Sequence, residues 1–212
     1  MKPRERLQNA RLLLVTDHRP DLASRVEGAV RGGADIVQLR EKQASREDLL
    51  PLAKELRGIC EKVGALFTVN DDIELARLAG AAGVHLGQED EPVERAREAM
   101  GPGAIVGRSV GKAEEALEAV REGADYLGVG SVYATLTKPD AGVAGPALVR
   151  NVAHLGLPVP WFAIGGISLE TAREIAEAGA PGFAVVRAVL DAEDPGAAAR
   201  RLRSYLVGTS AG

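Results

Sequence analysis

Two segments that read as strands stop on carboxylates, and one before them stops on cations. Phe67-Thr68-Val69-Asn70-Asp71-Asp72 ends on paired aspartates. Gly83-Val84-His85-Leu86-Gly87-Gln88-Glu89-Asp90 ends on a second acidic pair, which places Asp90 nineteen residues after Asp71. Asp35-Ile36-Val37-Gln38-Leu39-Arg40-Glu41-Lys42 ends on Arg40 and Lys42. Hard carboxylate oxygens suit Mg²⁺, which is commonly held by one or two carboxylates plus substrate phosphates. Cations beside such a metal suit a pyrophosphate. The combination points to an enzyme acting on a diphosphate, with Asp71 and Asp90 as Mg²⁺ ligands.

Each residue also has a plainer explanation. Strand side chains alternate between faces, so Gln38 and Arg40 are expected to point into the enclosed space and Lys42 into its mouth. Buried cations need anionic partners, so a ring of internal ion pairs explains Arg40 and Lys42 equally well. Asp72 precedes Ile73-Glu74-Leu75-Ala76 and is expected to cap a helix. Glu89 reads as a solvated loop charge. The stretch Val132-Tyr133-Ala134-Thr135-Leu136-Thr137-Lys138-Pro139-Asp140-Ala141-Gly142 is rich in hydroxyls and carries a lysine. Those groups are good phosphate donors, although an ordinary polar loop has the same composition. Ala163-Ile164-Gly165-Gly166-Ile167-Ser168 is expected to open a helix where backbone N–H groups approach an anion, with a glycine-requiring turn as the competing explanation.

These residues need elements to hold them, and the chain supplies a recurring unit. A short apolar strand is followed by a turn, an amphipathic helix and a Gly-Ala joint: Gly33-Ala34, Gly80-Ala81, Gly123-Ala124 and Gly179-Ala180. Glycine just past a helix takes the left-handed conformation that ends it. The pattern predicts strands at 12–17, 35–40, 66–70, 83–87, 104–109, 126–131, 161–165 and 183–187. It predicts helices near 21–31, 46–63, 72–80, 92–99, 112–122, 145–154, 168–178 and 195–206. Continuous apolar strands such as Leu12-Leu13-Leu14-Val15 fit a parallel sheet covered by helices. The expectation is a single-domain α/β protein, a (β/α)8 TIM barrel over 1–212, with an N-terminal extension or helix at 1–10 and a tail at 207–212. A doubly wound open sheet fits less well, because no Gly-x-Gly-x-x-Gly follows the first strand. In a barrel the active site lies at the C-terminal ends of the strands, so the polar strand ends should converge on one mouth. Asp35 and Asp125 begin strands at the opposite face, where the expected role is stability.

Composition narrows the partners. The chain has 212 residues, 46% hydrophobic and 26% charged, with a net charge of −4. No basic tract suggests nucleic acid, and aromatic content of 3% leaves no stacking platform for single strands. No apolar stretch approaches a membrane span. The expectation is a cytoplasmic protein with small-molecule substrates, no nucleic-acid or membrane partner, and a homo-oligomer left open. The lone cysteine, Cys60, falls on an apolar helical stripe and reads as a small core residue. His18, His85 and His154 lack zinc spacing, and His85 reads as a hydrogen-bonded core histidine.

Several of these segments together resemble the thiamine phosphate synthase family. They are Gln38-Leu39-Arg40-Glu41-Lys42, Asn70-Asp71-Asp72, Gly83 to Asp90, Gly107-Arg108-Ser109, Thr135-Leu136-Thr137-Lys138 and Ala163-Ile164-Gly165-Gly166-Ile167, in order over nearly the whole chain. The resemblance implies that hydroxymethylpyrimidine diphosphate is joined to a thiazole phosphate with release of pyrophosphate. It implies that Gln38, Leu39, Arg40, Glu41, Lys42 and Asn70 contact the pyrimidine diphosphate. Asp71 and Asp90 would hold Mg²⁺, Ser109 would meet the pyrimidine and Lys138 the diphosphate. Thr135, Leu136, Thr137, Gly166, Val186 and Arg187 would hold the thiazole phosphate. Arg40, Lys42, Lys138 and Ser109 would be the catalytic set. Three departures stand out: Arg187 where the family usually has Ser, Ala134 where it usually has Pro, and Val110-Gly111 where a Thr-His or Val-His is expected. The sister thiazole tautomerases place a functional His after that Val, so its absence favours the synthase. A phosphate-binding barrel without turnover is the non-enzymatic alternative.

Overall fold

The computed structural model describes residues 2–135 and 142–206. Eight parallel strands run in sequence order around a closed barrel: β1 (Leu12–Val15), β2 (Ile36–Leu39), β3 (Leu66–Asn70), β4 (Gly83–Leu86), β5 (Ile105–Val110), β6 (Tyr126–Val129), β7 (Trp161–Ile164) and β8 (Phe183–Val185). The ring closes where Leu14 of β1 pairs with Val185 of β8. The helices among the described residues are α1 (Pro3–Gln8), α2 (Leu22–Arg31), α3 (Arg46–Val63), α4 (Ile73–Ala79), α5 (Val93–Met100), α6 (Ala113–Arg121), α7 (Gly145–His154), α8 (Ala172–Glu177), α9 (Arg187–Leu190) and α10 (Pro195–Ser204). The expected (β/α)8 barrel is therefore present, and none of these helices is long and apolar enough to cross a membrane.

Strand alternation sorts the apolar residues into two layers. Outward residues such as Leu14, Val37, Leu39, Val69, Val84 and Leu86 pack beneath the helices. Inward residues Leu13, Val15, Ile36, Leu66, Ile105, Tyr126, Phe162 and Ala184 fill the barrel. Helix α1 completes the inner layer: Leu7 and Ala10 join that cluster, so the N-terminal extension stoppers the lower end of the barrel. Arg4 ties α1 to Asp125, and Arg6 ties it to the carbonyls of Gly64 and Ala65.

The lower-face aspartates behave as braces. Asp125 accepts from the Val106 N–H at 2.8 Å and pairs with Arg97 at 2.7 Å. Asp35 accepts from the N–H groups of Arg11 and Leu12 and pairs with Arg203. Cys60 is buried, and burial pushes its thiol up to about 12, so it is unreactive.

Several elements differ from expectation. Strand β8 stops at Val185, and Arg187 opens the short helix α9 instead of ending the strand. Helix α8 begins at Ala172 rather than 168, because Ser168 to Thr171 form a turn in which the Thr171 hydroxyl accepts from the Ser168 N–H at 2.9 Å. Gly165-Gly166 is thus a turn after β7 and does not itself open the helix. β1 and β6 are also shorter than expected, ending at Val15 and Val129.

Candidate active site at the upper mouth of the barrel

β3 and β4 deliver the two carboxylates. The Asp71 N–H donates to the His85 carbonyl at 2.8 Å, and the Asp72 N–H donates back to Asn70 at 2.7 Å. These bonds close a tight turn around Asp71, whose φ is 63°, the one positive value at a non-glycine residue among those described. A backbone held in that region costs free energy and persists where the surroundings impose it, commonly at functional positions. Asp72 then caps α4, its Oδ1 accepting from the Leu75 N–H at 2.8 Å, as expected. On β4, the loop turns so that Asp90 Oδ2 accepts from the Gly87 N–H at 2.6 Å.

The carboxyls of Asp71 and Asp90 come close enough to interact directly. Loss of hydration and the neighbouring Asp90 charge raise Asp71 to about 6, while Lys42 and Arg40 pull it back down. Asp71 is open to solvent as a residue, yet the walls of the mouth screen its carboxyl. A carboxylate pair in which Asp71 has an elevated affinity for a proton also suits a divalent cation. Among the described residues no third His, Cys, Asp or Glu joins them. The pair therefore fits a Mg²⁺ whose other ligands would be water and substrate oxygens.

β2 supplies the neighbouring wall. Gln38 is buried and inward-facing, and its Nε2 donates to Asn70 Oδ1 at 2.9 Å. Leu39 is 2% exposed and packs under the helices, so only its backbone faces the mouth. Arg40 lies just past the strand, its N–H donating to Thr16 Oγ1 at 2.9 Å. The Arg40 and Lys42 side chains form no ion pair among the described residues, which disfavours an internal salt-bridge ring. Glu41 is engaged differently: it binds His18 at 2.7 Å and accepts from the Gln43 N–H at 2.8 Å. Its carboxylate shapes the loop that carries the two cations.

β5 contributes Ser109. Its hydroxyl meets Nε2 of His85 at 2.9 Å. His85 is 5% exposed, and burial, aided by the Arg108 charge, lowers its ring to about 4. The histidine is thus a hydrogen-bonded core residue, as expected.

The far side of the mouth is made by β6, β7 and β8. Gly165 and Gly166 have φ of 103° and 61°. A Cβ on Gly166 would come within 2.7 Å of the Ala134 carbonyl and of Tyr133 Cβ, so the turn lies against the segment after β6. The Tyr133 N–H donates to Gly165 O at 3.0 Å, and its hydroxyl reaches Glu174 at 2.5 Å. Thr135 ends this described segment, while Leu136, Thr137 and Lys138 lie outside the described residues. Val186 is half-buried and precedes α9, and Arg187 is exposed at its start. The N–H groups of Gly166, Val186 and Arg187 donate to no partner among the described residues, which leaves them available to an anion.

A family model described as thiamine monophosphate synthase matches residues 12–189. The chain belongs to the thiamine monophosphate synthase family. A thiamine-phosphate synthase of Thermobifida fusca is 45% identical over 212 residues, covering 98% of this chain and 97% of that one. A thiamine-phosphate synthase of Synechocystis sp. is 46% identical over 202 residues and covers 95% of this chain. The chain spans 59% of that relative's length, and a similar share of other cyanobacterial ones. Among solved structures, thiamine phosphate pyrophosphorylase from Pyrococcus furiosus superimposes with a TM-score of 0.87 at 39% identity, covering 98% of this chain and 99% of that one. A 3-hexulose-6-phosphate synthase at 20% identity has a TM-score of 0.65, a likeness that shows the fold alone.

In this member of the thiamine monophosphate synthase family, sequence reasoning located the carboxylates and cations but missed what orients them. Thr16, which receives the Arg40 N–H, ends an apolar run and carries no motif. Arg19 is another such residue. It grips Asp17 at 2.6 and 2.8 Å, Asp191 at 2.8 Å and the Leu190 carbonyl at 2.5 Å, joining the loop after β1 to the end of α9. The shared strand parity of His85 with Asn70 and of Gly107 with Ser109 was a usable signal for the His85–Ser109 contact.

Proposed function

We propose that this chain condenses hydroxymethylpyrimidine diphosphate with a thiazole phosphate to give thiamine phosphate and pyrophosphate. The observation that carries the reading is the facing Asp71–Asp90 pair beside Arg40 and Lys42 at the mouth of a barrel of this family. A relative of nearly equal length bears the corresponding name.

Asp71 and Asp90 would hold Mg²⁺ against the diphosphate. When bound, the metal supplies positive charge to the leaving pyrophosphate. Arg40 and Lys42 add donors at the same end, and the family resemblance implies a like role for Lys138. Gln38, Asn70 and Ser109 line the floor and orient the pyrimidine. The bond from the exocyclic methylene carbon to the diphosphate oxygen breaks, and its electron pair leaves with pyrophosphate. The amino-substituted ring delocalises the positive charge on that carbon. The thiazole nitrogen then donates its lone pair to form the C–N bond. No protein nucleophile is required. The N–H groups around Gly166, Val186 and Arg187 would take the thiazole phosphate, together with Thr135, Leu136 and Thr137. Leu39 and Glu41 would act through the backbone and shape of their loop.

The test is product formation from both substrates with Mg²⁺, an EDTA control and the Asp71→Asn variant. Product that depends on Mg²⁺ and Asp71 supports the reading. A folded wild-type protein that forms none with intact substrates rejects it.

A further inference from the structure

His85 lies inside the barrel wall, and its ring is committed to Ser109. It occupies the inward position of β4, opposite Asn70 on β3 and Gly107 on β5. Space for the ring exists because neighbouring strands omit side chains. A Cβ on Gly107 would overlap both Nδ1 of His85 and the Tyr126 ring. A Cβ on Gly128 would lie 3.2 Å from His85 Cε1. Tyr126 closes the pocket, its ring centroid 5.3 Å from that of His85.

The two ring nitrogens have different fates. Nε2 meets the Ser109 hydroxyl at 2.9 Å, whereas Nδ1 is buried without a partner. An imidazolium would need an acceptor at both nitrogens, and only one is provided, so the ring is neutral. A neutral ring carries a single N–H. Buried N–H groups without an acceptor are rare and costly, so the proton belongs on Nε2, where Ser109 accepts it. The Ser109 hydrogen is then free to point away from His85, into the mouth. A hydroxyl in that state is a donor, complementary to a ring nitrogen with a lone pair.

We propose that His85 is a positioning residue that fixes Ser109 as a hydrogen-bond donor to an acceptor nitrogen of the pyrimidine ring. The inference rests on the function proposed above for what the donor meets, but the His85–Ser109 polarity stands independently of it. The geometry favours a ring nitrogen with a lone pair over a C–H at that point, where the Ser109 hydrogen would meet no acceptor.

Two measurements on the full chain test this. In ¹⁵N NMR of imidazole-labelled wild-type protein, His85 should show protonated Nε2 and unprotonated Nδ1 near neutral pH. The opposite tautomer, or an imidazolium, would overturn the proposal whether or not the protein is active. In a double-mutant cycle, H85L and S109A should each lower kcat/KM for the pyrimidine diphosphate by on the order of tenfold, as expected for one oriented hydrogen bond. The double variant should be no worse than S109A, with KM for the thiazole phosphate unchanged. Additive losses, or equal losses toward both substrates, would mean that His85 only fills space. A wild-type protein with no synthase activity rejects the function reading, and the tautomer measurement still decides the hydrogen-bond polarity.

Discussion

The Asp71 N–H donates to the His85 carbonyl at 2.8 Å, so the residue that aims a carboxyl into the mouth is anchored to the strand that carries the Ser109-bound histidine. That bond joins the end of β3 to β4 and fixes Asp71 at a φ of 63°. The proposed metal end and ring end of the site therefore share one backbone contact.

A trade between stability and function follows from this strained backbone. Asp71→Gly removes the side-chain penalty of the left-handed region and the repulsion with Asp90. The metal-free variant should be more stable than wild type, by about 1 kcal/mol from the backbone alone. It should also lose Mg²⁺-dependent turnover strongly, as should Asp71→Asn and Asp90→Asn. Thermal unfolding and product assays check both halves, and unchanged activity in both Asn variants would remove the metal assignment.

The carboxylate pair should give the protein a pH signature. Asp71 titrates at about 6 in the folded state and at 3.8 without its surroundings. The folded protein therefore binds the proton more readily, and the contribution of Asp71 to stability increases as pH falls from above 6 toward 4. Mg²⁺ competes with that proton, so Mg²⁺ affinity should drop as pH falls through 6. Mg²⁺ titrations at pH 5, 6 and 7.5 should show the trend in wild type, and Asp71→Asn should flatten it. A pH-independent affinity in wild type would contradict it.

At the other side of the mouth, Gly166→Ala should be harmful out of proportion to its size. The added methyl meets the Ala134 carbonyl and Tyr133 Cβ at 2.7 Å, on a backbone with φ of 61°. We expect destabilisation of about 1–3 kcal/mol and a higher KM for the thiazole phosphate. A KM change confined to the pyrimidine diphosphate would place Gly166 at the wrong subsite.

Arg187 begins α9 rather than ending β8, and its guanidinium forms no ion pair among the described residues. Arg187→Ser should change affinity for the thiazole phosphate more than for the diphosphate, by several-fold at low salt and less at high salt. Calorimetric titration of each substrate separates the two. Equal effects would take Arg187 off the thiazole side.

Much of this protein was legible in its sequence because the signals are local. Apolar strand runs, Gly-Ala joints and amphipathic helices set the (β/α)8 order, and barrel topology sends polar strand ends to one mouth. Asp71, Asp90, Arg40 and Lys42 could be named because each ends such a strand. What the sequence did not decide depends on contacts between distant segments. Asp71 and Asp90 face each other because the β3 and β4 turns curl their carboxyls together. Glu41 braces its loop because His18, from another strand end, reaches it. Leu39 shares a motif with Gln38 but lies on the opposite face of the strand, since alternation buries it under the helices. The Gly165-Gly166 turn is read only against the segment after β6, where a Cβ has no room. His85 gained its role from the space left by Gly107 and Gly128, which is a property of the closed barrel.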